Sequence, residues 1–209
     1  MATTELKTIA PRKWVANFGG NTPTIDTTDG VRVGDHAVDS STARVWLCLD
    51  NTDTAPVWTP AHAAILHVRD EKAQNTDGGT FTSGAWRTRD LNTSKTNTIG
   101  GASLAANQVT LPAGTYWCEI KVPGHNVDQH QARLYNVTGA AVLVIGTSES
   151  TSTNLVQTSS WIRGRFTLTA SSALEVRHWC ITTRADTGFG YAANITTEIY
   201  TDAVFWKES

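Results

Sequence analysis

The sequence alternates between apolar and polar residues with a period of two, in short runs bounded by turn residues. In residues 115–122 (TYWCEIKV), Tyr, Cys, Ile and Val occupy every second position, and residues 160–169 (SWIRGRFTLT) show the same alternation. Turn sequences such as NTDGG (75–79) and PAG (112–114) separate these runs. Alternation of this kind, with turns every 8–12 residues, is typical of a two-sheet sandwich or a jelly roll. The chain is therefore predicted to be all-β.

The predicted strands change in character near residue 62. In the first segment, strand candidates at 35–39 and 43–49 flank a Ser-Ser-Thr turn, which predicts a hairpin. After it, predicted strands follow at regular spacing, at residues 64–71, 80–91, 98–104, 108–111, 115–122, 130–137, 140–147, 160–169, 174–182 and 191–206. We expect a small β-module over residues 1–62 and a larger sandwich over 63–209. A module of 62 residues buries little apolar surface, so packing on a partner is expected.

Charge and hydropathy exclude several classes of partner. Only 17% of residues are charged, the net charge is -2, and basic residues are spread along the chain. Nucleic-acid binding needs a clustered basic surface, so no nucleic-acid partner is expected. The start, MATTELKTIAPRKW, lacks the apolar core of a secretory signal. No window approaches the roughly 18 apolar residues of a membrane span, and no membrane insertion is expected.

The three cysteines, Cys48, Cys118 and Cys180, each lie in an apolar strand-like run. We interpret them as small buried hydrophobes of a protein made in a reducing cytoplasm, with a Cys118–Cys180 bridge as the alternative. Zinc is not expected, because no two cysteines have the short C-x₂₋₄-C spacing of structural zinc sites.

One short segment resembles a metal site. His125, Asp128 and His130 (HNVDQH) combine two imidazoles with a carboxylate, which could bind a divalent ion, and on a trimer axis one ligand per subunit would suffice. The alternative interpretation is a polar loop that enters a strand, with His130 hydrogen-bonded at an interface. We favour the loop, and no cofactor is expected.

No catalytic motif is present. The sequence has no G-x-S-x-G elbow, no phosphate-binding loop and no H-E-x-x-H. Glycoside hydrolysis needs two carboxyl groups about 5–10 Å apart, and the acidic residues lie mostly in turns or alternate with basic residues. We therefore expect a protein that is not an enzyme. A carboxylate pair formed across subunits would be invisible in the sequence, so a polysaccharide depolymerase stays as an alternative.

Two polar loops are the candidates for ligand binding. Residues 184–191 (RADTGFGY) combine aromatic, charged and glycine residues, the mixture that carbohydrate recognition needs. Residues 148–159 form a long polar loop, and binding surfaces often lie on loops over a rigid scaffold. Merely solvated loops are the alternative. The candidate receptor-binding residues are Arg184, Asp186, Phe189 and Tyr191 in the first loop and Asn154 and Gln157 in the second.

Residues 67–206 resemble a C-terminal domain common in tail-fibre and appendage proteins of phages and prophages. The matching pieces are HVRDEKAQNTDGGTFTSGAWRTRDLNT, LPAGTYWCEIKVPG, HQARLYNVT, IRGRFTLTASSALEVRHWC and TGFGYAANITTEIYTDAVFWK. The G-x-Y-x-C element that starts at Gly114 is similar to the G-x-Y-x-F strand of complement globular-head and tumour-necrosis-factor-like jelly rolls. That resemblance implies ten short strands in two sheets and a tight homotrimer.

The first segment resembles a small β-module that recurs in phage tail proteins. The module has a Val-Gly-Asp, a strand ending in Cys and a Trp about ten residues on, and Val33-Gly34-Asp35, Cys48 and Trp58 fill those places. His36 stands where the family usually has an aromatic residue.

Together the two resemblances imply a virion structural protein, a homotrimeric tail fibre, tip or head spike made in the bacterial cytoplasm. Residues 1–62 would contact other virion proteins, and residues 63–209 would form a trimeric head that binds a host-surface glycan. A purely structural decoration or plug protein without receptor binding is the main alternative.

Overall fold

The computed structural model describes residues 13–16, 22–23, 31, 33–39, 45–50, 57–60, 64–151 and 156–208. Every regular element in these ranges is a β-strand, so the predicted all-β class is confirmed. In the same ranges no helix is long and apolar enough to cross a membrane. The chain divides into two compact units, Met1–Ala63 and Ala64–Ser209.

The first unit contains one four-stranded sheet. Its strands, in spatial order, are β1 (Lys13–Ala16), β2 (His36–Asp39), β3 (Val45–Asp50) and β4 (Val57–Pro60). Strands β2 and β3 pair antiparallel, as the predicted hairpin requires, whereas β1 runs parallel to β2. A small core lies on one face of this sheet and comprises Val31, Ala37, Trp46, Cys48 and Trp58.

The second unit contains two antiparallel sheets. The first sheet has the order β13-β10-β15-β5-β7, and the second has the order β12-β11-β14-β9-β8, with β6 paired to β14. The strands are β5 (Ala64–Lys72), β6 (Arg87–Thr88), β7 (Thr93–Asn97), β8 (Ser103–Ala105), β9 (Gln108–Leu111), β10 (Gly114–His125), β11 (Asp128–Asn136), β12 (Ala141–Thr151), β13 (Gln157–Leu168), β14 (Ser172–Cys180) and β15 (Glu198–Lys207).

The chain crosses repeatedly between these two sheets. From β9 onward it passes to β10 in the first sheet, to β11 and β12 in the second, to β13, to β14 and finally to β15. Crossings of this kind between two antiparallel sheets define a jelly-roll sandwich. The predicted fold of the larger unit is therefore confirmed.

The core lies between the two sheets. Strand β10 contributes Tyr116, Cys118, Ile120 and Val122, all fully buried, so the alternation predicted for this strand is confirmed. Side chains from both sheets complete the core, among them Leu66, Val68, Val109, Leu111, Leu134, Ile162, Phe166, Leu174, Val176 and Phe205.

Three predicted strands and one predicted loop differ from the structure. The predicted strand 98–104 is wrong, because residues 99–101 turn the chain between β7 and β8. In the predicted loop 148–159, residues 148–151 belong to β12 and residues 157–159 to β13. In the predicted strand 80–91 only Arg87–Thr88 is a strand, because Gly84 turns the chain at φ +83°. In the predicted strand 191–206, pairing begins at Glu198, and residues 191–197 belong to a loop. Strand β7 was not predicted, since its sequence TSKTN is polar throughout.

All three cysteines are buried as thiols, and the alternative of a Cys118–Cys180 bridge is wrong. Burial raises the pKa of Cys118 to about 12 and that of Cys180 to about 11. At neutral pH both remain protonated, and they act as small core side chains.

Candidate functional site

Two loops meet at one end of the sandwich, and we call them together the crown. They are residues 73–86, between β5 and β6, and residues 181–197, between β14 and β15. Backbone hydrogen bonds join them, including Gly78 N to Gly190 O (2.8 Å), Gly79 N to Asp186 O (2.7 Å) and Phe81 N to Arg184 O (2.9 Å). The crown is therefore a hydrogen-bonded layer on the sandwich.

Glycines allow this close approach of the two loops. A Cβ on Gly188 would lie 2.6 Å from the carbonyl oxygen of Arg184, and one on Gly190 (φ +150°) would overlap the ring of Tyr200. Only glycine fits these positions without a shift of the backbone. The glycines of the sequence RADTGFGY thus serve packing within the crown.

A buried arginine, Arg89, lies beneath the crown and joins it to strands β10 and β15. Arg89 is fully buried, and its Nε donates to Thr201 Oγ1 on β15 (3.0 Å). Its two terminal nitrogens donate to the carbonyls of Pro123 on β10 (3.2 Å) and Phe189 in the crown (2.7 Å). Burial lowers the pKa of Arg89 to about 10, and the carboxylates of Asp70 and Asp90 oppose that effect. The guanidinium is therefore charged at neutral pH.

Two imidazoles lie beside this arginine in the interior. His130 Nδ1 and His178 Nε2 are 2.9 Å apart, and His130 Nε2 is 2.9 Å from Thr158 Oγ1. Burial, with the nearby Arg89 as the second cause, lowers the pKa of His130 to about 4 and that of His178 well below its usual range. Both rings are neutral at pH 7, and one donates its N–H to the other.

The residues of the metal hypothesis have separate partners. His125 Nδ1 is 3.0 Å from Thr187 Oγ1, and the Asp128 carboxylate accepts a hydrogen bond from the Thr182 hydroxyl. His130 belongs to the imidazole pair. In the part of the chain that the structure describes, no group of three or more His, Cys, Asp or Glu side chains is placed to hold a metal ion.

The crown brings together two of the candidate binding residues. Tyr191 is 54% exposed, and its backbone N–H donates to Gln157 Oε1 at the start of β13 (2.8 Å). The Tyr191 ring packs against His125, with centroids 5.1 Å apart. These contacts hold an exposed aromatic ring beside an amide side chain.

Arg184 and Asp186 are also exposed on the crown. Arg184 Nε donates a hydrogen bond to Thr187 Oγ1 (3.2 Å). Asp186 has a φ of +61°, and its backbone carbonyl accepts the hydrogen bond from Gly79 N–H in the other crown loop. Asn154 lies outside the described residues.

Phe189 is not available as a sugar platform. Its ring lies 4.7 Å from the ring of Phe81, and the Arg89 guanidinium covers it at 4.1 Å from the centroid. With Phe81, Val127 and Cys180 it forms a small apolar cluster below the crown. Tyr191 is therefore the crown's solvent-facing ring among the predicted candidates.

The sequence interpretation missed Arg89 and His178. Both lie in segments predicted as strands, TFTSGAWRTRDL and LEVRHWCIT. Alternation predicts which face of a strand a residue occupies, but it does not predict which buried group that residue contacts. His178 sits on the inward, apolar face of its strand, and that position was the available signal.

No protein-family model and no curated protein matches the chain. Among solved structures, murine APRIL is 13% identical over 69% of this chain and 98% of its own, with a TM-score of 0.44. The Eiger TNF from S. frugiperda is 12% identical over 71% and 94%, with a TM-score of 0.47. The globular domain of the zebrafish complement 1qA protein is 14% identical over 71% and 98%, with a TM-score of 0.41. Nothing about binding or assembly of this chain follows from these values.

Proposed function

We propose that this chain is a structural protein of a phage or phage-like particle, a homotrimeric fibre or spike subunit that binds a host-surface glycan. The tail-fibre resemblance of residues 67–206 supports the particle. The observation that carries the assembly is a row of apolar side chains on the outer face of the first sheet. Trp117 lies opposite Trp206, and Trp206 lies opposite Ile65, so the row crosses three adjacent strands.

Exposure and charge suit this face to further copies of the same chain. Trp117 is 42% exposed, and aromatic residues are enriched in the cores of protein interfaces. On the same face Lys121 lies opposite Asp202, and Asp202 lies opposite Arg69. A surface that carries both charge signs beside an apolar row can complement itself in a symmetric oligomer. We propose two further copies of this chain as its partners.

The small sheet offers a face for other virion proteins. Val15 lies opposite Val38, and Val38 lies opposite Val45, away from the buried Trp46 and Cys48. Val15 is 63% exposed on this face. An exposed apolar face marks a site of protein contact, and we propose that it attaches the chain to the particle.

Three linked copies of one weak site would increase the apparent affinity for a repeated glycan. Adhesion of this kind requires no covalent chemistry, and we do not propose an enzyme. A purely structural decoration protein would assemble in the same way but bind no glycan.

Sedimentation and binding measurements test both parts of the proposal. The purified chain should sediment at three times its mass of 22.6 kDa at micromolar concentration, and a monomeric mass would contradict the trimer. The trimer should bind host cells and polysaccharides extracted from them. Absence of binding to both would leave the decoration protein as the function, and loss of polysaccharide viscosity would indicate a depolymerase.

A further inference from the structure

We infer that the outer face of the second sheet carries a binding pocket for one neutral hexose or N-acetylated amino hexose ring, an inference that rests on the proposed glycan adhesion. A depression of about 200 Å³ opens there between the ends of β11, β12 and β14. Pockets for drug-sized ligands measure about 300–1,000 Å³. The smaller volume suits a single sugar ring of a longer chain. This pocket is separate from the candidate residues of the crown.

One wall of the pocket is apolar. Trp179, near the end of β14, and Ile181, the first residue of the crown loop that follows, line it. Ile181 is 60% exposed, and Trp179 is partly buried. A pyranose ring has an apolar C–H face, which an indole ring covers well, because its flat surface removes that face from water.

The opposite wall is polar. Gln129, Gln131 and Ser148 line it from the outer face, whereas Glu149 lies opposite the buried His130 on the other face of β12. Gln131 lies opposite Trp179 on one side and opposite Ser148 on the other, so the indole, the amide and the hydroxyl form one row across three strands. A row of this kind matches an apolar sugar face with a rim of hydroxyl groups.

Existing hydrogen bonds leave atoms for a ligand. The Gln131 Nε2 already donates to Gly146 O (3.0 Å) and Ser148 Oγ (3.2 Å), so its Oε1 can accept from a sugar hydroxyl. The Ser148 hydroxyl, which accepts from Gln131, has its own hydrogen to donate.

The charge of the pocket selects among sugars. Among the residues that the structure describes, no lysine or arginine lines the pocket. A uronic or sialic acid would bring a carboxylate into the pocket without a cation to pair with, which costs binding free energy. Neutral hexoses and N-acetylated amino sugars avoid this cost, so they are the expected ligands.

Neighbouring side chains fix the position of the indole. The Trp86 ring lies 6.1 Å from that of Trp179, and the Arg133 guanidinium covers Trp86 at 3.9 Å. Beyond it, Tyr135 lies between Arg133 and Arg177, at 5.1 Å and 3.7 Å. Arginine side chains thus cover the rings of Trp86 and Tyr135, whereas the ring of Trp179 borders the pocket. A preorganised platform loses little freedom on binding.

The test measures binding of the full chain to a panel of immobilised bacterial O-chain and capsular polysaccharides. Trp179→Ala should weaken binding to the recognised polysaccharide by about tenfold or more, because it removes the stacking surface. Ile181→Ala should weaken it to a smaller extent, and Ile145→Ala is the matched control, because Ile145 is equally exposed (65%) but does not line the pocket. Tyr191→Ala tests the crown as the rival site.

The outcomes separate the pocket from the adhesive function. If the wild type binds and Trp179→Ala and Ile181→Ala bind equally well, the pocket is wrong and adhesion stands, with a loss in Tyr191→Ala assigning the site to the crown. If the wild type binds neither these polysaccharides nor host cells, adhesion is wrong. Saturation-transfer NMR with millimolar methyl hexosides, methyl N-acetylhexosaminides and methyl glucuronide then tests the pocket alone. A Trp179-dependent signal from hexosides supports it, and no signal, or a preference for glucuronide, overturns it.

Discussion

His130 on β11 and His178 on β14 share a hydrogen bond of 2.9 Å between their imidazole rings, in the interior of the sandwich. Their strands are paired, and both rings point toward the core, where Phe81 lies 4.6 Å from His178. Arg89 is the charged group nearby, and it disfavours protonation of either ring. Neutral imidazoles are therefore part of the folded state.

The imidazole pair predicts that the protein loses stability in mild acid. An unfolded histidine has a pKa of about 6.5, whereas that of folded His130 is about 4. Between these values the unfolded state binds more protons, so the free energy of unfolding falls as the pH falls. The stabilisation is complete above about pH 6.5, and by pH 5 the His130 ring should cost about 2 kcal/mol. His178 adds to the loss in the same direction. Urea denaturation at pH 7, 6 and 5 measures this loss.

A paired variant isolates the histidines from other titrating groups. Burial raises the pKa of Asp70, so that carboxyl group acts in the opposite direction and gains stability as the pH falls. The double variant His130→Gln/His178→Asn should lower stability at pH 7 and flatten the profile between pH 7 and 5. An unchanged slope in the double variant would show that other groups cause the acid sensitivity.

The buried arginine gives a second prediction. Arg89→Met removes the donor for Thr201 and for two carbonyls and leaves those acceptors unsatisfied in the interior. The expected loss in the free energy of unfolding is about 3–5 kcal/mol. Arg163→Met is the control, because Arg163 is half-exposed and pairs with Glu119 at the surface (3.2 Å), so its loss should be below about 1 kcal/mol. Equal losses in the two variants would contradict a structural role for Arg89.

Gly190 gives a third prediction, about the crown. Gly190→Ala places a methyl group against the ring of Tyr200 at an unfavourable φ, so we expect a loss of about 2–5 kcal/mol. Gly84→Ala also has positive φ (+83°), but its Cβ would meet nothing within 4 Å. Its cost should be limited to backbone strain, about 1–2 kcal/mol. Thermal unfolding of both variants measures the difference, and a Gly84 variant as unstable as the Gly190 variant would rule out the proposed overlap.

Alternation predicted the core strands well because burial on one face imposes a period of two. Strand β10 was predicted over residues 115–122 and extends over Gly114–His125, with its inward face as expected. Strand β7 lies at the edge of its sheet, with four of its five residues exposed. Its sequence therefore carries no apolar pattern from which it could be predicted.

The candidate sites were harder to predict, because they depend on which side chains meet across strands. The spacing of His125, Asp128 and His130 suggested one ligand set, but positive φ at Asp128 (+58°) redirects the chain between them. Trp179 lies in the predicted strand 174–182, and alternation does not show whether an outward face is covered by a partner or open to a ligand. Its neighbours Gln131 and Ser148 come from two other strands, and their pairing was not predictable from sequence.

The outer face of the first sheet gives the last prediction. Trp117→Arg places a charge in the apolar row with Trp206 and Ile65, and a buried unpaired charge strongly disfavours association. Val142→Arg is the matched control, because Val142 has the same exposure (41% against 42%) and lies on β12 of the other sheet. Sedimentation velocity should show monomers for Trp117→Arg and trimers for the wild type and Val142→Arg, with circular dichroism confirming that all three are folded. If folded Trp117→Arg still forms trimers, the first sheet is not the trimer interface. A dissociated Val142→Arg would also exclude the first sheet, because the disruptive charge would then act on the second sheet.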